Sequence, residues 1–361
     1  MNRKLALTTI FFTILIGISG LSFKVERVEA SGTIYIRADG SVEGTTYIHT
    51  ANNITYVFVA NINDSIVVQR NNIIMDGNGH TLQGTIFSAV GIDLSGRTNV
   101  TVRNTQIEAF YCGIYLNSSS SDIISGNNIT NDYDGILLSY SSSNMISGNN
   151  IKANNETSIY LYYSSSNTVS SNNITANYWY GIRLDSSSNN TISGNNITNN
   201  GDGIYLDYSS SNNTVSGNNI KANNDCGINL VYSSDNTVSS NNITANTYSG
   251  IGLTSSSSNM IYHNNFVDNS QQVFSLASMN VWDDGYPSGG NYWSDYDGTD
   301  ANHDGIGDTT YVIDANNTDH YPLMTQHVIP EFPSFLVVPL LMIATLLAVI
   351  VYRRRMEGAD G

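Results

Sequence analysis

Positive charge is what this chain has least of. Among 361 residues, 14 are Lys or Arg and 30 are Asp or Glu, for a formal net charge of −16. No basic stripe is left to neutralise phosphates, so nucleic acid is excluded as a partner. The acidity suits a solvated extracellular surface, or one that collects cations. Runs rich in Ala, Leu, Glu and Lys are also missing, which excludes a helical solenoid. Cysteine is almost absent, with two in the whole chain.

What the chain has instead is a repeat. Anchored on a GI-x-L step, copies start at Gly91, Gly113, Gly135, Ser158, Gly181, Gly203, Gly227 and Gly250, at spacings of 22 to 24 residues. A fixed period of this length means stacked units that bury apolar surface against their neighbours. Each copy holds two short β-type pieces, such as GIYL and NTVSGNNI, between Ser/Asn-rich corners. Ile204 and Leu206 share one face of GIYL, while Tyr205 and Asp207 share the other. Val215 and Ile220 complete the apolar set. The expected fold is all-β: a right-handed parallel β-helix, with adjacent coils roughly 4.8 Å apart. Asn127, Asn149, Asn172, Asn195, Asn218, Asn241 and Asn264 fall in one column and should bond along the axis as a ladder.

The same geometry separates the cysteines. Cys112 and Cys226 each directly precede a GI-x-L step, five coils apart. That is roughly 24 Å at the coil spacing, whereas a disulfide needs Cα atoms within about 7 Å. They should not pair within one chain.

The two ends carry sorting signals. Asn2-Arg3-Lys4 and the apolar run over 5–21 read as a secretory signal, with cleavage after Val28-Glu29-Ala30. An uncleaved anchor is the alternative. Residues 335–352 form an apolar run just long enough to span a bilayer, and Arg353-Arg354-Arg355 place its far end in the cytoplasm. The expected organisation is a signal peptide (1–30), an N-terminal β cap (31–65), β-helix repeats (66–276) and an aromatic, Asp-rich C-terminal cap (277–325). A linker (326–334), a transmembrane helix (335–352) and a basic cytoplasmic tail (353–361) follow. The β-helix should therefore sit on the extracellular face of the membrane.

The repeat GI-x-L…SSSN-x-(T/M)-(I/V)-S-G-N-N-I resembles that of secreted NosD-like proteins, abundant in archaea. NNIIMDGNGHTLQG (71–84) looks like the first rung of that group, and the stretch over 289–324 resembles its C-terminal cap. PEFPS (330–334), an apolar span and arginines are similar to archaeal sorting signals, which implies processing by an archaeosortase. The resemblance implies the fold more than any activity. The repeat is shared by sugar lyases, hydrolases, adhesins and the copper-accessory NosD itself.

Three constellations are candidates for chemistry. Asp300, Asn302, Asp304 and Asp308 carry oxygens at positions 1, 3, 5 and 9 of a calcium-type loop, with Gly305 at 6 and the Ile306 carbonyl at 7. Tyr311 replaces the bidentate Glu at position 12, so Asp295 or Asp297 would have to complete the set. A metal-free acidic turn is the bland alternative. Calcium here would be structural.

The second constellation appears when coils are stacked. Tyr160, Tyr162, Trp179, Tyr180, Arg183, Asp185, Tyr205 and Asp207 gather on the outer face beside GI-x-L. Aromatic rings with flanking acids suit sugars. Asp185 and Asp207 are column neighbours at about the separation of a retaining glycosidase pair, and Arg183 would suit an acidic sugar in a lyase. Against this, outward positions of any coil must be polar, and Tyr is common throughout, with 23 in all. The copies differ by at most two residues, which leaves no long active-site loops, so no catalytic residue is assigned.

Copper is the third. Cu(I) prefers clustered Met, Cys and His, but Met145, Met260, His263, His303 and His320 are scattered, which argues against it. Twelve Asn-x-Ser/Thr sequons, among them Asn53, Asn63, Asn117, Asn173, Asn196, Asn242 and Asn316, predict partial glycosylation. The preferred expectation is a non-enzymatic, surface-anchored protein that binds glycans or contributes to the envelope or adhesion. A polysaccharide lyase or glycoside hydrolase and a NosD-like copper-accessory protein are the alternatives.

Overall fold

The computed structural model describes residues 32–85 and 89–329. The expected signal peptide, PEFPS motif, transmembrane span and basic tail lie outside them. No helix among the described residues is long and apolar enough to cross a membrane.

Each repeat turns once around a parallel β-solenoid. Its three strands join 12-, 11- and 10-stranded sheets. The sequence suggested two apolar pieces per copy, but the second is broken at its Asn corner. In one copy, Thr214–Ser216 joins the 11-stranded sheet and Asn219–Lys221 the 10-stranded one. The GI-x-L strands are the longest, as in Asp202–Asp207, and form the 12-stranded sheet. Their register is residue for residue: Ile114, Ile136, Ile159, Ile182 and Ile204 pair in turn down one stack. Ile204, Leu206, Val215 and Ile220 are fully buried. Each such side chain contributes roughly 1.5–3 kcal/mol on leaving water.

The Gly of GI-x-L has a steric cause. A Cβ at Gly203 would come within 2.4 Å of the Gly227 carbonyl oxygen in the next coil. Ser158 fills this place in one copy, and its Oγ is buried without a hydrogen-bond partner.

Corners follow one rule. A residue in the left-handed region precedes a buried Asn or Ser that bonds to its counterpart in the next coil. Gly217 (φ 66°) before Asn218 and Ala222 (φ 54°) before Asn223 are examples. The expected ladder exists: Asn195 donates from its backbone N and Nδ2 to Asn218 Oδ1, both at 2.9 Å. Two further asparagine ladders run beside it, through Asn190 and Asn213 and through Asn200 and Asn223. A serine ladder through Ser187 and Ser210 holds the fourth corner. Polar corners that cannot reach water are thus satisfied along the axis.

Parallel pairing starts before the first recognisable repeat, since Ile34–Ile36 already pairs with Ile66–Val68. At the other end, Tyr292–Trp293 adds to Asn265–Val267. Cys112 and Cys226 are both buried and free, five strands apart in one sheet.

Candidate functional site

The outer face of the long-strand sheet is where unusual chemistry collects. Alternation in Thr157–Tyr162, Tyr180–Asp185 and Asp202–Asp207 points Tyr160, Arg183 and Tyr205 outward in one column, and Tyr162, Asp185 and Asp207 in the next. Arg183 is the one cation in the seven strands from Cys112–Asn117 to Ser249–Thr254. Its guanidinium lies over three rings, at 4.9 Å from Tyr160, 5.2 Å from Tyr180 and 5.9 Å from Tyr205. Its Nη2 meets Asp185 at 3.4 Å, and its Nε is buried without a partner.

The acids are occupied too. The Tyr160 hydroxyl donates to Asp185 Oδ2 and the Tyr205 hydroxyl to Asp207 Oδ2, each at 3.2 Å. Both aspartates are 7% exposed. Burial pushes the Tyr160 and Tyr205 phenols well above their usual range. Asp134 and Asp202, at the start of their strands, accept the backbone N–H of Thr157 and Cys226 in the next coil. Burial raises both carboxyls to about 7 against those bonds.

Aromatic side chains line both edges of this face. At one corner Tyr178 is 67% exposed and Trp179 50%, and Tyr111 stacks on Tyr133 at 5.0 Å. At the opposite corner stand Tyr140, Tyr163, Tyr208 and Tyr232, all exposed, with Tyr140 stacked on Tyr163 at 5.3 Å. The second row is absent from the sequence-predicted set. Its signal was a Tyr/Ser column directly after each long strand, easily taken for corner filler. The eight predicted residues of this face do come together, linked by ring, ion and hydrogen-bond contacts. Two concavities lie elsewhere, one of about 690 Å³ around His49 and Asn53 and one of about 480 Å³ along Asn196, Asn219 and Asn242.

The calcium-type loop is separate, in the C-terminal cap. Asp300 accepts the backbone N–H of Asp304 at 3.2 Å and of Gly305 at 2.9 Å. Asp304 accepts that of Ile306, which holds its carboxyl below the usual range. Asn302 donates to Asp304, and Asp308 accepts from Ala301. Asp295 accepts the Tyr311 hydroxyl. Among the described residues, the one group of three His, Cys, Asp or Glu donors within 4.8 Å of one another is Asp202, Asp225 and Cys226.

A parallel solenoid with a polar-aromatic sheet face defines the class of protein. Residues 28–192 and 176–298 match the family described as periplasmic copper-binding protein (NosD), and the chain belongs to that family. No curated protein matches it. Among solved structures it is similar to the periplasmic alginate epimerase AlgG, at 14% identity and a TM-score of 0.47, over 69% of this chain and 84% of that one. It is similar to the Azotobacter vinelandii mannuronan C-5 epimerase AlgE6 A-module, at 13% and 0.48, over 70% and 91%. The Dettilon tailspike protein matches at 16% and 0.43, over 68% and 60%. Likenesses this distant identify neither a substrate nor an activity for this chain.

The family description raises copper directly, and the donors among the described residues are not gathered in the way it needs. Cu(I) needs several soft ligands together. Cys112 and Cys226 are five strands apart, as are Met145 and Met260 in the 11-stranded sheet. His263 stacks on His327 at 4.6 Å, ring on ring. The Asp202–Asp225–Cys226 group sets one thiol beside two hard carboxylates.

Proposed function

We propose that this protein works outside the cytoplasm as a non-enzymatic glycan-binding surface protein, with the long-strand face as its binding platform. One observation carries the reading: tyrosine occupies exposed left-handed corners. Tyr140, Tyr163, Tyr208 and Tyr232 have φ between 46° and 49°, a region that disfavours bulky side chains, and all four are exposed. Other copies place Ser186 and Ser255 at the same corner, so the fold does not require an aromatic there. The left-handed turn itself recurs at corners throughout the solenoid, so it is the use of an exposed ring where serine would serve that points to a surface role. Exposed rings offer flat apolar faces to pyranose rings, and the neighbouring acids and hydroxyls offer partners to sugar hydroxyls.

The periplasmic description of the family supports the location, together with the expected signal and anchor segments. A polysaccharide-acting enzyme is the second reading, favoured by the adjacent pair Asp185 and Asp207. Their engagement by tyrosine hydroxyls weighs against it. A glycan array probed with purified full-length protein tests the proposal. Binding should be seen, and Trp179→Ala with Tyr180→Ala should weaken it about tenfold or more, at roughly 0.5–1.5 kcal/mol per ring contact. No binding to any glycan would refute it, and cleavage of a bound glycan would favour the enzyme.

A further inference from the structure

We propose that the long-strand face selects against acidic polysaccharides and takes neutral sugars, with added affinity for sugars bearing a protonated amine. This rests on the glycan-binding reading above and specifies its ligand class. Arg183 would be the natural anchor for a uronate, and its surroundings do not leave it free. Recognition of a carboxylate by Arg relies on two parallel N–H donors presented as a fork. Here Nη2 already faces Asp185, Nε is out of solvent, and Tyr160, Tyr180 and Tyr205 cover the guanidinium plane. The side-on edge of Nε with Nη2 is therefore not open to a carboxylate in solvent. Arg183 serves to hold the rings in place and to balance Asp185.

With Arg183 neutralised, the charge left around the platform is negative. Glu156 sits at the same corner as Trp179 in the preceding coil, the exposed Asp225 lies two coils beyond Trp179, and Asp207 lies one strand from Asp185. A uronate laid across Trp179 and Tyr180 brings its carboxylate toward Glu156, Asp185 and Asp207. An ammonium group in the same place meets carboxylates flanked by aromatic faces, and both attract a cation. The effect is electrostatic and mostly at the surface, so salt should screen it over a Debye length of about 8 Å under physiological conditions.

Three oligosaccharides of equal length test this on the full-length protein: a neutral glucan, a uronate and a glucosamine oligomer. Affinity should fall from glucosamine to glucan to uronate, with the uronate at least about tenfold below the glucan. At high salt the three should converge. Glu156→Gln, at a half-exposed site beside Trp179, should raise uronate affinity relative to the glucan. Arg183→Gln should not weaken uronate binding selectively. A uronate that binds as tightly as the glucan, or that loses affinity specifically in Arg183→Gln, overturns the selectivity while leaving glycan binding intact. Failure of all three oligomers to bind overturns the glycan reading itself.

Discussion

At the residue scale, function and folding ask different things of the same corner. The left-handed residue after each long strand is Ser186 or Ser255 in some coils and Tyr208 or Tyr232 in others, with nearly the same φ. A serine there satisfies the backbone as well as a tyrosine and leaves no apolar ring in water. Tyr208→Ser should therefore leave the unfolding temperature unchanged or slightly higher, while glycan affinity falls. Calorimetry and binding on the same variant would check it, and a large loss of stability would return the ring to a structural role. Part of this site was legible in the sequence. Alternation alone places Tyr160, Arg183 and Tyr205 in one column, because side chains in a strand point to opposite faces in turn. What stayed hidden was the occupancy of Asp185 and Asp207. That depends on where the hydroxyls of Tyr160 and Tyr205 reach, and sequence spacing says nothing about it.

At the scale of the element, the asparagine ladders have a direction, and their first members expose it. Each Asn donates from Nδ2 to the Oδ1 of the next coil. Asp132 heads one ladder, accepting the Phe110 N–H on Oδ1. Its Oδ2 stands where later members carry Nδ2: a Cβ on Gly113 would meet it at 2.9 Å, as one on Gly203 would meet Asn223 Nδ2 at 3.0 Å. An ionised oxygen in a donor's place has no partner, so the native state favours the protonated acid. Burial accordingly pushes Asp132 up to about 8, from an ordinary value near 4. The sign follows from linkage. Below about pH 4 both folded and unfolded chains hold the proton, and the contribution to stability is complete. Between about 4 and 8 the unfolded chain ionises first, and stability falls by up to roughly 1.4 kcal/mol per pH unit. Asp132→Asn supplies the missing donor permanently. Denaturant unfolding should show the variant to be more stable by several kcal/mol above about pH 8, with the gap closing toward pH 4. A gap that does not change with pH would contradict this. The first ladder was visible as the column of Asn127 to Asn264. The second and third escaped because Asn190 and Asn200 sit amid other Asn and Ser residues, where only the fold separates buried from exposed amides.

At the scale of the molecule, a stack of identical coils has no intrinsic end, and its last rung must be closed. The core continues past the repeats as a pile of rings: Phe266 on Trp293 at 4.5 Å, then Trp293 on Tyr311 at 4.3 Å. Asp319 ends a ladder as a pure acceptor, receiving the Asn291 N–H and the Trp293 indole N–H. The loop over 300–308 belongs to this closing cap, joined to it where Ile306 bridges Leu323. Its side-chain oxygens already organise the backbone, with Asp300 gathering two N–H groups and Asp304 a third. A calcium ion bound there would add its binding free energy to the folded state alone, about 2.7 kcal/mol at a hundredfold excess over Kd. It would also hold closed an edge that otherwise offers unpaired strands for aggregation. Calcium should therefore raise the unfolding temperature by several degrees over chelator. Asp304→Ala should remove most of that difference while the β-sheet signal in circular dichroism stays unchanged. Aggregation on heating in chelator should increase in the wild-type chain, because the exposed rung is a template for pairing. If the protein melts at the same temperature with calcium and with chelator, the loop is an acidic turn held by its own N–H bonds, and closure of the stack rests on the ring pile and Asp319 alone.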